Sequence, residues 1–78
     1  MSREVTLDDV PISYGTDAAT AFALRSTHAL LRHEVRAARE YGVRMAESLL
    51  ALWDLGEISM SQDDLSALRA ALRKYRDD

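Results

Sequence analysis

LRSTHALLRHEVRAAREYGVRMAESLLAL, running from Leu24 to Leu52, decides the fold. Leu24, Leu31, Val35, Ala38, Gly42, Met45, Leu49 and Leu52 recur at steps of three, four and seven, so one apolar or small seam threads the stretch and only His28 interrupts it. A sustained rhythm of this kind marks a helix that lies against other helices. The spacing predicts one long helix, or two nearly collinear ones, from about Asp17 to about Leu55.

Downstream, Gly56 follows Leu55 in the position of a helix stop. Ser61-Gln62-Asp63-Asp64 then sets a capping serine three residues before an acid, flanked by Met60 and Leu65. A second helix is expected from Gln62 to about Tyr75 or Arg76, with Leu65, Leu68, Leu72 and Tyr75 on one face and acids at its start, bases at its end. From Val43 to Trp53 a second stripe (Val43, Ala46, Leu50, Trp53) runs beside the seam, as it must where a hairpin partner packs.

Upstream, Val5 and Leu7 alternate with Glu4, Thr6 and Asp8, and Val10 and Ile12 straddle Pro11. Proline forbids a central strand, so residues 1–15 are expected to form an extended arm or edge strand, and 16–78 a helical hairpin interaction domain. Thr16 or Asp17 should cap the first helix.

The fold class expected is therefore all-α: a long helix and a shorter antiparallel one, with an N-terminal arm, assembled as an oligomeric bundle. A 78-residue chain buries a limited share of its surface alone and has no cysteine to staple it. The N-terminal half of the seam has no intrachain helix to cover it in such a hairpin. A second copy is the expected cover, through Phe22, Leu24, His28, Leu31, Val35, Ala38, Gly42 and Met45, with Gly42 and Ala38 admitting close backbone approach.

Net charge is −3, divided as −3 over residues 1–17, +3 over 18–45 and −3 over 46–78. This argues against the uniformly basic face of a dedicated nucleic-acid binder. On one continuous helix Arg25, Arg32, Arg36 and Arg39 fall within about 60° of arc, a basic ridge suited to an acidic protein partner or, as the alternative, to DNA in a dimeric transcriptional regulator. The ridge also has internal acids to meet, in the arm and at Asp77 and Asp78.

His28 and His33 are five residues apart and so face different sides of a helix, which excludes joint chelation of one metal. No nucleophile neighbours a base, no glycine-rich loop opens a helix, and paired carboxylates sit at element ends, so no catalytic residue, cofactor or metal is expected. No leader, lipidation motif or membrane-spanning run is visible, and nine of ten basic residues are arginine, pointing to a cytoplasmic protein from a GC-rich bacterial or phage genome.

In outline, strand-helix-helix is similar to ribbon-helix-helix repressors. That family, however, carries polar or basic strand residues where Glu4, Thr6 and Asp8 stand, and a far shorter first helix. Trp53-Asp54-Leu55-Gly56 resembles the turn of the small secreted WXG proteins with one residue too many. The function expected is a small non-catalytic protein-binding module of the antitoxin, inhibitor or assembly-adaptor type.

Overall fold

The computed structural model describes residues 15–76 in full, together with the backbone of Thr6–Leu7 and Val10–Pro11. Those two short strands, β1 (Thr6–Leu7) and β2 (Val10–Pro11), pair antiparallel with Leu7 opposite Val10. Three helices follow: α1 (Ala18–Leu31), α2 (Arg36–Asp54) and α3 (Gln62–Arg76).

The single long helix expected from the seam is thus two helices. The reversal occupies Arg32–Val35 and contains neither glycine nor proline. Arg32 leaves helical geometry with φ −94° and ψ 5°, and Val35 is extended at φ −78° and ψ 126°. The His33 ring closes the turn locally: its Nδ1 accepts from the Val35 N–H at 3.1 Å, while the His33 N–H donates to the Leu30 carbonyl at 3.0 Å. Gly42 lies inside α2 and is buried.

Folding back lets α1 cover its own seam. Leu24 packs in one cluster with Ala46, Leu49, Met60, Leu65, Leu68 and Leu72, and Leu31 is wholly buried. Each leucine removed from water in this way contributes about 2 kcal/mol. The close approach foreseen at Gly42 is real, but its partner is this chain's α1: a Cβ at Gly42 would stand 3.0 Å from both Leu30 Cβ and the Leu31 backbone nitrogen. Leu24, Leu31 and Gly42 are therefore spent inside the chain and leave no surface for a second copy to cover.

The second connection behaves as its sequence requires. Gly56 takes φ 80°, left-handed backbone that favours glycine. Ser61 Oγ accepts from the Asp64 N–H at 3.1 Å, and Met60 and Leu65 on either side are both buried. Asp17 caps α1, taking the Thr20 N–H at 2.8 Å on Oδ1 and the Ser59 N–H at 3.2 Å on Oδ2. Since α2 runs antiparallel to each neighbour, the starts of α1 and α3 lie side by side. Thr27, fully buried in α1, satisfies its hydroxyl by donating to the Ala23 carbonyl at 2.8 Å.

Candidate functional site

The arrangement of the helices gives the bundle two electrically different ends. Asp17, Asp54, Glu57, Asp63 and Asp64 belong to the end where α1 and α3 begin and α2 finishes. At the other end stand Arg32, Arg36, Arg39, Arg44, Arg73, Lys74 and Arg76, tempered by Glu34, Glu40 and Glu47. Arg32 at the end of α1 and Arg73, Lys74 and Arg76 in the last turn of α3 complement those helix dipoles, which accounts for part of this polarity.

At the basic end a cleft of about 660 Å³ opens between the first half of α2 and the last turn of α3. It is lined by Arg36, Arg39, Glu40, Val43, Arg44 and Glu47 from α2 and by Tyr75 and Arg76 from α3. Val43 and Tyr75, both half-buried, are the apolar part of its lining. A smaller groove of about 260 Å³, lined by Arg69, Leu72, Arg73 and Arg76, continues the basic surface along α3.

Two ion pairs organise the rim. Arg76 is bound to Glu47, which ties α3 to α2, and Arg36 Nε lies 3.6 Å from Glu40 Oε2 one turn along α2. Arg39 is steered by a 3.4 Å bond from Nη1 to the His33 carbonyl, so the turn that breaks the long helix also orients a cleft arginine. Arg44 meets no carboxylate among the described residues.

The break dissolves the four-arginine ridge. Arg36 and Arg39 come to the cleft, while Arg32 ends α1 and Arg25 lies over the Phe22 ring at 5.2 Å on α1. The site gains Arg44 and Arg76, of which Arg76 could have been found by following α3 back to the start of α2. The acids foreseen for the ridge, in the arm and at Asp77 and Asp78, lie outside the described side chains.

Of the residues expected at an interface between copies, Ala38, Met45 and His28 are half-buried, and Phe22 and Val35 are exposed. Tyr41 and Leu52 on α2 and Leu55 just past its end are exposed large apolar residues, the last 73% exposed. Trp53 packs on the core as the second stripe predicted, with the Arg69 guanidinium 5.7 Å from its ring centroid. His28 has its pKa held below the ordinary 6.5, first by burial and then by the charge of Arg32, with Asp64 opposing. Asp17 is held below the ordinary 3.8 by hydrogen bonds from Thr20 and Ser59.

Among the described residues no three histidine, aspartate or glutamate side chains gather so as to hold a metal ion, and no helix is long and apolar enough to cross a membrane. Comparison of the chain with family models, curated proteins and solved structures gives no match in any of the three.

Proposed function

We propose that this chain is a small, non-catalytic cytoplasmic binding module of the antitoxin, inhibitor or assembly-adaptor type, whose α2–α3 cleft takes an acidic segment of a protein partner. The observation that supports this reading is the mixed lining of the cleft. Arg36, Arg39, Arg44 and Arg76 offer forked donors suited to carboxylates, and Val43 with Tyr75 offers apolar contact between them. Glu40 and Glu47 stand among the arginines. A uniform polyanion such as a DNA backbone would be driven onto both carboxylates, whereas a peptide can set its own donor or cation against them. Self-association, within the same reading, shifts from the buried seam to the outward face of α2 and its C-terminal cap, where Tyr41, Leu52 and the capping Leu55 are exposed beside Ala38 and Met45.

Selection from a displayed random-peptide library, with counter-selection on the Arg36→Glu/Arg39→Glu variant, tests the cleft. The expected yield is peptides with two or more acidic residues near an aliphatic or aromatic one. Absence of any cleft-dependent peptide, combined with tight binding of duplex DNA at about 150 mM salt that the same variant loses, would favour a DNA-binding regulator instead.

A further inference from the structure

We propose that the outward stripe of α2 docks on the same stripe of a second copy of this chain, the two α2 helices antiparallel about a two-fold axis, with Tyr41 of each set against Leu52 of the other. The inference rests on self-association through this face and adds the orientation and register of the two copies. It does not depend on what the cleft binds.

The stripe itself is the first ground. Ala38, Tyr41, Met45, Ser48, Leu52 and the capping Leu55 recur at steps of three and four along the whole of α2, the spacing of a helix-to-helix seam, and none of them is charged. Ala38 and Met45 are half-buried and the other four are exposed. Three of the five exposed large apolar residues among those described, Tyr41, Leu52 and Leu55, fall on this one stripe. Scattered singly they would be ordinary, but together they form a patch that a partner covers. At about 100° per residue the stripe is centred about 110° or more around α2 from Arg36, Glu40, Val43 and Glu47, so a copy docked there leaves the cleft open.

Charge complementarity selects the occupant and its direction. From Arg32 to Met45 the chain carries Arg32, Arg36, Arg39 and Arg44 against Glu34 and Glu40, whereas from Ala46 to Glu57 it carries Glu47, Asp54 and Glu57 and no base. Two parallel copies would bring like halves together; antiparallel, each basic half lies along an acidic one. Centring the pair between Met45 and Ser48 sets Ala38 opposite Leu55, Met45 opposite Ser48 and Tyr41 opposite Leu52, so small residues face large ones at two of the three levels. The same register brings Arg39 level with Asp54 and Arg36 level with Glu57. The surface is thus complementary to itself, as a two-fold contact requires. From Ala38 to Leu55 the stripe runs about 26 Å at the helical rise, one helix-to-helix contact at the low end of specific interfaces, so the pair is reversible.

Sedimentation of the wild-type chain should show dimer at about 100 μM and monomer at about 1 μM. Isotope-filtered nuclear Overhauser spectra of a mixture of labelled and unlabelled wild-type chains, at the higher concentration, should then connect the Tyr41 ring to the Leu52 methyls, and the Ala38 methyl to those of Leu55, between copies. Leu52→Glu, at a position already in contact with water, should keep the helical circular dichroism, weaken the dimer at least about tenfold and bind a cleft-selected peptide as wild type does. Contacts joining Tyr41 to Tyr41 and Leu52 to Leu52 would overturn the antiparallel register and leave self-association on this face standing. A monomer at about 100 μM would overturn both. Contacts between copies centred on Phe22 or Val35, or an undiminished dimer in a folded Leu52→Glu chain, would move the interface off this stripe and defeat the inference.

Discussion

The Thr16 hydroxyl donates to Asp64 Oδ2 at 2.6 Å and accepts from the Ser61 N–H at 2.7 Å, so one buried side chain joins the start of α1 to the start of α3. It fixes the parallel placement of these helices and the root of the N-terminal arm. Thr16→Val keeps the shape and removes both bonds, taking from the Ser61 N–H its acceptor, at a cost of about 1–3 kcal/mol in urea unfolding. Thr16→Ser retains the bonds and should cost less than about 1 kcal/mol. Equal losses in the two variants would show that packing, rather than the bonds, matters at this position.

Gly42→Ala tests the close approach of α1 and α2. Alanine gains about 1 kcal/mol of helix propensity over glycine. Against this, the new Cβ meets Leu30 Cβ and the Leu31 backbone nitrogen at 3.0 Å, and α1 must move as a body to relieve it. Overpacking costs of about 1–3 kcal/mol should prevail, giving a lower urea midpoint. A raised midpoint would mean the helices are further apart than described.

Stability should fall as the solution is acidified below neutrality, because of His28. Its folded pKa lies below the ordinary 6.5, chiefly through burial, so between that lowered value and 6.5 the unfolded chain binds more protons than the folded one. The stabilisation of the neutral ring is present above pH 6.5 and declines as pH falls through this window toward the folded pKa. Unfolding midpoints at pH 7.5 and 5.5 should differ more for wild type than for His28→Gln. An identical pH dependence of the two would remove His28 as the cause.

Charge reversal at the cleft should leave the fold almost untouched. The Arg36–Glu40 pair is long and largely exposed, so it contributes at most about 1 kcal/mol, and Arg36→Glu/Arg39→Glu should unfold within about that range of wild type. The same variant should lose the peptides selected on the wild-type cleft. A large loss of stability would instead make these arginines structural.

Much of the helical core was legible. The serine cap, the staple pair and the glycine stop placed α3 and its connection, because each is a local device whose residues are adjacent in sequence. The two-sided half of α2 likewise announced a hairpin partner. The break at Arg32–Val35 was hidden, since the seven-residue rhythm continues through it and reads alike for one straight helix or for two folded together. What ends α1 is a histidine ring capping Val35 and the burial gained by folding back, neither of which leaves a glycine or proline as a mark. The ridge fell with the break: angular positions along one helix lose their meaning once the axis reverses. The cleft was half-visible for the same reason, through Arg36 and Arg39 but without Arg44 and Arg76.

The reversal between α1 and α2 is the point on which the bundle, its buried seam and its cleft all depend, and one distance tests it. Ala19 and Ala51 are both exposed, near the start of α1 and the end of α2, and Ala19→Cys/Ala51→Cys takes two spin labels. Pulsed dipolar spectroscopy, on labelled chain diluted in unlabelled chain, should give a separation below about 30 Å, as for antiparallel helices with axes about 8–10 Å apart. A continuous helix would instead hold the labels about 48 Å apart, and that result, or a short distance that disappears on dilution, would contradict the intrachain fold.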